Sequence, residues 1–211
     1  MDIARTFAIL GRGRAGRALA QAWGGRHPLL AGAERPAGLV LLAVPDREVA
    51  RIAGELPGPC VHMSGSLDLP GVPCAHPLVS FDGTPADWKG APLALTGEVP
   101  GPVLEAFREL GFAPFVLPAP LKPLYHACAV LASGHAATLW TGARALLEEA
   151  GVALPGRGFA PLAESTLRNV EARGALGRTG PFVRGDRETI DRDAAALPEP
   201  WRSLFLQLGP M

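Results

Sequence analysis

The sequence lacks a net charge, long apolar runs and an N-terminal leader pattern. Its 20 Lys and Arg residues are balanced by 20 Asp and Glu residues, so there is no electrostatic reason to expect binding to nucleic acid or to an anionic membrane surface. No apolar stretch is long and uninterrupted enough to span a bilayer. The first residues lead directly into an apolar strand pattern, which does not resemble a signal peptide. We therefore expect a cytoplasmic protein whose partners are small molecules.

Cysteine, lysine and asparagine are scarce. The three cysteines, Cys60, Cys74 and Cys128, are odd in number and widely spaced, which predicts reduced thiols that act as small core residues. The chain has 18 arginines but only two lysines, Lys89 and Lys122. A lysine retained in such a chain is a candidate for a function that needs an ammonium with a tunable pKa. A single asparagine and 22 prolines are typical of a thermophile or of a GC-rich genome.

The most informative stretch is a glycine-rich turn near the N-terminus. An apolar run at residues 7–10 leads into Gly-Arg-Gly-Arg-Ala-Gly, and an alanine-rich helical pattern follows. In such a turn the first glycine permits the bend, the second admits a pyrophosphate and the third allows the helix to pack on the strand. The helix N-terminus then faces the anion. We predict a nucleotide-binding turn formed by Gly11, Arg12, Gly13, Arg14, Ala15 and Gly16.

Strand and helix patterns alternate up to about residue 120. The run Leu39–Val44 is continuously aliphatic, as in a strand buried on both faces of a parallel sheet. The alternation predicts a doubly wound α/β domain over residues 1–120. Its strands are predicted at residues 7–10, 27–32, 39–44, 60–63, 72–75, 93–96 and 112–117, with a helix after Gly16 and further helices at 47–56 and 101–110.

The remaining residues, 121–211, are predicted to form an all-helical domain. A long helix is expected over Pro123–Ala150, because proline occupies its first position and Gly151 follows its end. Residues 127–143 are small or apolar nearly all round, which predicts a helix buried on most faces. Further helices are predicted at 159–173, 187–197 and 200–208, with a glycine-rich loop at 177–185.

Lys122 and His126 lie four residues apart at the start of this helix and therefore share a face, which Ser133 continues. The positive end of a helix dipole would lower the pKa of a lysine there, which suits a proton donor or acceptor. We interpret the pair as a candidate for acid–base catalysis. A surface lysine and a packed histidine are the structural alternatives.

Two further segments carry polar residues that could meet a substrate. Ser64 and Ser66 follow a strand at the edge where open α/β sheets bind ligands, and His76 precedes a proline at another strand end. We predict Ser64 as catalytic and Ser66, His76 and Ser133 as substrate contacts, with a plain turn as the alternative for the serines. His62 is expected to pack within its strand. No ligand-like spacing indicates a metal site, which also argues against a metal-dependent hydrolase.

Arg184 and Asp186 lie in the glycine-rich loop of the helical part. They are expected either to form an ion pair that holds the loop or to leave Arg184 available for an anionic group of the substrate.

With these motifs in place, the chain resembles a family that joins a Rossmann-like NAD(P)-binding domain to a helical domain of unknown function. That family is related to pyrroline-5-carboxylate reductases, β-hydroxyacid dehydrogenases and deazaflavin-dependent NADP oxidoreductases. The resemblance extends over nearly the whole chain. Its motifs are GRGRAG at 11–16, LAVPD at 42–46, HMSGS at 62–66, AHPL at 75–78, LKPLYHACAVLASG at 121–134 and RTGPFVRGD at 178–186.

The resemblance implies a nicotinamide cofactor, NADP or NAD with NADP preferred, bound over the glycine turn. The loop formed by Val44, Pro45 and Asp46 would lie beside the nicotinamide half. The resemblance further implies a cleft between the domains, a homodimer through the C-terminal helices and Lys122 as the proton donor. The family pattern has asparagine at the position of Gly134.

One departure separates two functional hypotheses. Only 22 residues lie between Gly16 and Leu39, so the helix and third strand of a usual Rossmann unit are expected to be missing. Glu34 and Arg35 are the remaining candidates for contacts with the ribose or a 2′-phosphate. The first hypothesis is an oxidoreductase that transfers hydride to or from a small carbonyl, hydroxy acid or imine compound. The alternative is a non-catalytic, Rossmann-derived binding or scaffold protein.

Overall fold

The computed structural model describes residues 6–209, and the chain divides into two compact units. The first extends to Thr138 and the second begins at Leu139. The sequence-based boundary at residue 120 stays a prediction about domain organisation.

A seven-stranded sheet organises the first unit. The strands are adjacent in the order β2-β1-β3-β4-β5-β6-β7. Only the β5–β6 pair is antiparallel in this sheet, which confirms the predicted Rossmann-like, mostly parallel, doubly wound α/β fold. The strand bounds are β1 Ala8–Leu10, β2 Leu29–Leu30, β3 Val40–Leu42, β4 Cys60–His62, β5 Cys74–Pro77, β6 Pro92–Thr96 and β7 Ala113–Val116.

Alternate residues of the central strands pack into two separate hydrophobic clusters. Ile9, Leu41 and Val61 belong to one cluster, and Leu10 and Leu42 belong to the other. Since successive strand residues point to opposite faces, both faces of the sheet are covered. This explains why the strands are continuously aliphatic. Three helices complete the α/β arrangement: α1 Arg14–Ala22, α2 Asp46–Glu55 and α3 Gly101–Glu109.

The sheet is short on the β2 side, as predicted. Strand β2 pairs with one side of β1, and β3 pairs directly with the other side. Neither a helix nor a strand occurs in the chain between Ala31 and Leu39. A longer Rossmann unit would have another strand beyond β2. Here the two-residue strand β2 is itself the edge of the sheet.

A helical run links the two units. A 3-10 turn at Ala119–Leu121 leads into α4 Lys122–Val130, a π-helical segment at Leu131–His135 and α5 Ala136–Glu149. The predicted single helix is thus interrupted by a π segment. The prediction that it is buried on most faces is wrong for this chain, because Leu124, Leu131 and Trp140 are at least half exposed. An apolar pattern in the sequence indicates that a helix face is suited to burial. It does not say which part of the chain, or which other molecule, would cover that face.

The remainder of the second unit is helical, as predicted. It contains α6 Ala160–Arg173, a 3-10 turn at Gly174–Gly177, α7 Pro181–Arg184, α8 Arg187–Ala196 and α9 Trp201–Leu208. The glycine-rich loop predicted at 177–185 instead contains the short helix α7. Asp186 accepts a hydrogen bond from the Thr189 amide and caps α8, so its carboxylate stabilises a helix N-terminus. None of the helices within residues 6–209 is long and apolar enough to cross a bilayer.

Two of the three cysteines are core residues, as predicted. Cys60 and Cys74 are buried in the sheet, whereas Cys128 is exposed on α4. Burial raises the pKa of both the Cys60 and the Cys74 thiols, which favours their neutral form. The core prediction is wrong for Cys128 because its helix face is uncovered.

Candidate functional site

The turn between β1 and α1 depends on glycine at two positions for steric reasons. Gly11 has φ +123°, and a Cβ there would lie 2.2 Å from the Ala43 carbonyl oxygen. A Cβ on Gly16 would lie 1.9 Å from the Gly11 carbonyl oxygen. Both contacts are with backbone, which cannot move aside without displacing a strand. These two glycines therefore set the close packing of helix against strand.

Gly13 lies in a different environment. It is the N-cap residue of α1, where no side chain caps the helix. A Cβ on Gly13 would have no heavy atom of the protein within 4 Å. The uncapped amides of the first turn and the helix dipole therefore meet open space, as in an anion-binding helix N-terminus. Arg12 and Arg14 are exposed beside this space.

Two pockets flank the glycine turn. We call the first the inner cavity; it has a volume of about 180 Å³ and is lined by Ala15, Ala43, Val44, Asp46, Met63, Ser64, His76, Pro77, Val79 and Phe81. We call the second the Arg35 groove; it has a volume of about 580 Å³ and is lined by Gly32, Ala33, Arg35, Val44, Pro45, Glu48, Arg51 and Ile52. Val44 lines both, so the two pockets adjoin at the end of β3.

Glu34 and Arg35 hold the loop after β2. The Glu34 carboxylate accepts a hydrogen bond from the Ala31 amide at 2.7 Å. Arg35 donates to the Gly32 carbonyl at 2.7 Å and pairs with Glu55. The two candidates for ribose or phosphate contacts therefore already have partners in the protein.

Ser64 is a buried structural link. Its hydroxyl donates to Asp46 Oδ2 at 2.7 Å and accepts from the Leu67 amide at 2.9 Å and the Ser66 amide at 3.3 Å. The Ser64 amide in turn donates to His62 Nδ1. His62 is buried, as predicted, and burial is the main cause that lowers its pKa to about 4. This network joins the loops that follow β3 and β4.

Lys122 is not a surface lysine, since only 1% of it is exposed. Its Nζ donates to the Ser64 carbonyl at 2.9 Å and to Cys74 Sγ at 3.0 Å. The side chain thus joins the start of α4 to the Ser64 loop and to β5. Lys122 is absent from the described lining of the inner cavity and from that of a second, larger cavity, described below, that His76 and Tyr125 line.

Three aromatic side chains meet next to this loop. His76 Nδ1 lies 3.0 Å from the Tyr125 hydroxyl, and the rings of His76 and His126 are 6.2 Å apart. A Cβ on Gly65 would lie 2.8 Å from both His76 Nε2 and His126 Cδ2. Glycine at position 65 therefore allows the Ser64 loop to contact both imidazoles.

The environment keeps His76 and Tyr125 neutral. Burial, followed by the nearby His126 and Lys122, lowers the pKa of His76 to about 4. Burial also raises the pKa of Tyr125 to about 12. At neutral pH the pair therefore consists of an uncharged imidazole and a protonated phenol, which can pass a proton along their hydrogen bond.

The larger pocket, which we call the outer cavity, has a volume of about 650 Å³. It lies between the segment after β5 and α4 with its π segment, and it is lined by His76, Leu78, Val79, Ser80, Tyr125, His126, Cys128, Ala129, Val130, Ala132, Ser133 and Gly134. His76 and Val79 also line the inner cavity. The two cavities therefore adjoin at His76.

The structure brings many of the predicted residues of the first unit into one region. Gly13, Ala15, Val44, His76, His126 and Ser133 lie at or line these pockets. Ser66 lines none of them, and Arg184 belongs to the second unit. Within residues 6–209, no three His, Cys, Asp or Glu side chains are grouped as metal ligands would be.

Sequence reasoning missed Tyr125, Gly65 and the partner role of Cys74. Tyr125 is the only tyrosine in the chain and stands between Lys122 and His126, which is a signal that the sequence offered. Gly65 and Cys74 gave no comparable signal, because their roles depend on contacts between distant segments.

Stability should decrease as the pH falls below neutrality. Folded His62 and His76 have pKa values of about 4, against an ordinary value of 6.5. The unfolded chain therefore binds protons that the folded chain excludes. The histidine contribution is complete above about pH 6.5 and is lost as the pH falls toward 4, by on the order of 3 kcal/mol for each of the two histidines. Urea unfolding between pH 7.5 and 4.5 measures this loss of stability. An unchanged free energy of unfolding down to pH 5 would contradict the conclusion that His62 and His76 are buried and neutral.

Comparison with known structures finds the same fold in three proteins. A candidate NADP oxidoreductase from Bacteroides fragilis has a TM-score of 0.80 at 18% identity, covering 97% of this chain and 96% of the other. A Thermotoga maritima protein has a TM-score of 0.73 at 22% identity, covering 96% and 95%. A reductive aminase from Aspergillus terreus, in complex with NADPH and ethyl levulinate, has a TM-score of 0.63 at 15% identity, covering 96% and 93%.

These identities are low, so the likeness establishes a shared Rossmann-like fold and a helical C-terminal part, and no more. A comparison with curated protein sequences finds no match. Residues 94–210, more than half of the chain, match the family described as domain of unknown function DUF2520. The match includes β7, the Lys122–Tyr125–His126 segment and the whole second unit. The chain therefore belongs to the DUF2520 family.

Proposed function

We propose that this protein is an NAD(P)-dependent oxidoreductase that reduces a small carbonyl or imine compound, or oxidises the corresponding product. The observation that carries the proposal is the continuity of the site. The Arg35 groove, the inner cavity and the outer cavity follow one another, sharing Val44 and then His76, and Ala15 of the glycine turn lines the inner cavity. A long dinucleotide and a substrate need such an arrangement, with the transfer point where the two meet.

The residues of the glycine turn fit a dinucleotide. Gly13 leaves open space at an uncapped helix N-terminus, where a pyrophosphate would accept hydrogen bonds from backbone amides. Ala15 and Val44 line the inner cavity, which would receive the nicotinamide. When bound, the nicotinamide supplies or accepts the hydride. The protein contributes placement, exclusion of water and a proton.

We assign the proton to the His76–Tyr125 pair. His76 lies where the inner and outer cavities adjoin, and Tyr125 is hydrogen-bonded to its Nδ1. In reduction, the neutral imidazole would donate its Nε2 proton to the substrate atom while its Nδ1 takes the phenol proton of Tyr125, and water would then return a proton to the phenolate. Lys122 and Ser64 then act as positioning residues, because Lys122 holds the Ser64 carbonyl and the Ser64 hydroxyl holds Asp46. The sequence-based assignment of Lys122, His126 and Ser64 as catalytic stays a prediction.

NADP is the preferred cofactor in this proposal. Arg35 and Arg51 both line the Arg35 groove, and two guanidinium groups suit a 2′-phosphate. Calorimetric titration with NADPH and NADH tests this. We expect a dissociation constant in the micromolar range for NADPH, about −8 kcal/mol, and weaker binding of NADH. Equal affinities would exclude a role for the two arginines in selecting the phosphate.

The alternative is a non-catalytic protein with a degenerate cofactor site. The short β2 edge and the partners that already engage Glu34 and Arg35 favour it. The same titration separates the two hypotheses. Absence of binding of either reduced dinucleotide at about 1 mM would reject the oxidoreductase and leave the scaffold.

We further propose a homodimer through the C-terminal helices. The second unit has an apolar groove of about 490 Å³ between α5 and α6, lined by residues that include Trp140, Leu162 and Leu167. All three of these side chains are at least half exposed, and exposed apolar surface of this kind is typical of protein interfaces. Analytical ultracentrifugation should give a dimer for the natural chain and a monomer for Leu162→Arg. A monomeric natural chain would exclude this arrangement.

A further inference from the structure

The outer cavity has a distinctive chemical character. Its lining combines apolar side chains with hydroxyl, thiol and imidazole groups, and among the described residues no Lys, Arg, Asp or Glu contributes to it. Its volume of about 650 Å³ lies in the range of pockets that enclose a drug-sized organic molecule. The wall on the α4 side consists largely of small residues, including Ala129, Ala132 and Gly134.

The charged groups next to the outer cavity are already engaged in hydrogen bonds within the protein. Lys122 begins the same helix, but its Nζ is buried and donates to the Ser64 carbonyl and to Cys74 Sγ. Asp46 lines the adjoining inner cavity and accepts the hydrogen bond of Ser64. His76, whose pKa is lowered mainly by burial, is uncharged at neutral pH.

Among the described residues that line the outer cavity, a ligand charge would therefore find no Lys, Arg, Asp or Glu partner. An ionised carboxylate that leaves water without a paired cation loses much hydration energy. An ammonium group has the same difficulty in the absence of a lining carboxylate. Neutral carbonyl and imine groups do not have this cost, and the His76–Tyr125 pair offers them a hydrogen bond.

We propose that the substrate is an uncharged carbonyl or imine compound whose apolar part fills the outer cavity; this inference rests on the proposed function. Hydroxy acids and other carboxylates are excluded as substrates. The reacting carbon lies near His76, where the outer cavity meets the inner cavity. The neutral lining of the outer cavity is the determinant of this selectivity.

The test compares two ligands that differ in charge and by one methyl group. Methyl 4-oxo-4-phenylbutanoate and its free acid share a skeleton, and their affinity for the full chain is measured by calorimetry with and without NADP⁺. We expect the ester to bind at least tenfold more tightly than the acid. Acid binding as tight as ester binding, or no binding of either ligand, would overturn the proposal.

Two variants locate the effect. Ala129→Arg places a cation in the wall of the outer cavity, and we expect it to shift the preference toward the acid by at least tenfold. Ala127→Arg places the same charge on an exposed part of α4 that does not line the cavity, and we expect no shift. If Ala129→Arg fails to fold, Ser133→Lys replaces it. Equal preferences in the wall variant and in Ala127→Arg would overturn the proposal, since the ligand would then bind elsewhere.

Failure of this inference is distinguishable from failure of the proposed function. Preference for the ester together with an absence of dinucleotide binding supports the cavity assignment and rejects the oxidoreductase. Binding of NADPH together with turnover of the acid supports the oxidoreductase and rejects the neutral substrate class.

Discussion

Gly13→Ala should abolish tight dinucleotide binding and leave the fold intact. The new Cβ meets no protein atom within 4 Å, and φ −70°, ψ −174° at this residue suits alanine. The methyl group would instead occupy space that the pyrophosphate needs for close approach to the backbone. We expect NADPH affinity to fall on the order of 10- to 100-fold, or about 1.4–2.7 kcal/mol. Calorimetry measures the affinity, and thermal unfolding verifies the fold.

Two other glycines provide matched comparisons. Gly54→Ala adds a methyl group in α2 where nothing lies within 4 Å, so binding should be unchanged and stability equal or slightly higher. Gly16→Ala places a Cβ 1.9 Å from the Gly11 carbonyl oxygen. It should lower the free energy of unfolding by about 3 kcal/mol. Unchanged NADPH affinity in Gly13→Ala would show that no pyrophosphate lies at this turn.

Tyr125→Phe should cause the largest loss of turnover without loss of cofactor affinity. The change keeps the ring and removes the hydroxyl that lies 3.0 Å from His76 Nδ1. Tyr125 lines the outer cavity but neither the inner cavity nor the Arg35 groove, so NADPH binding should persist. We expect kcat to fall on the order of 100-fold, the usual contribution of positioned proton transfer. The assay follows NADPH absorbance during reduction of methyl 4-oxo-4-phenylbutanoate.

Lys122→Met distinguishes proton transfer from positioning. It removes the donor to the buried Ser64 carbonyl, so we expect the free energy of unfolding to fall by about 1–3 kcal/mol. The remaining turnover should retain a pH profile set by the intact His76–Tyr125 pair, moved slightly toward higher pH because Lys122 no longer helps to lower the pKa of His76. By contrast, Tyr125→Phe should change that profile. Full activity in Tyr125→Phe, with lost turnover and unchanged stability in Lys122→Met, would make Lys122 the proton donor.

Much of the fold follows from local patterns in the sequence. The glycine turn and the apolar runs of β1 and β3 are properties of neighbouring residues, and they predicted the sheet. The spacing between Gly16 and Leu39 predicted the loss of a helix and a strand from the β2 side. These features are accessible from sequence because sterics and side-chain period act over a few residues.

The site depended on contacts that no local pattern contains. The sequence placed Lys122 and His126 on one face of a helix and indicated His76 as a candidate substrate contact. For each of these residues a purely structural role was the alternative. The tertiary structure decided that Lys122 is buried against Ser64 and Cys74, which lie 58 and 48 positions earlier in the chain. It also decided that His76 contacts Tyr125, which lies 49 positions later. It also decided that the apolar face of α4 and α5 is exposed in the single chain. The physical reason is that burial, hydrogen-bond partners and pKa are set by whichever distant segments pack together, whereas sequence patterns report only which residues share a face.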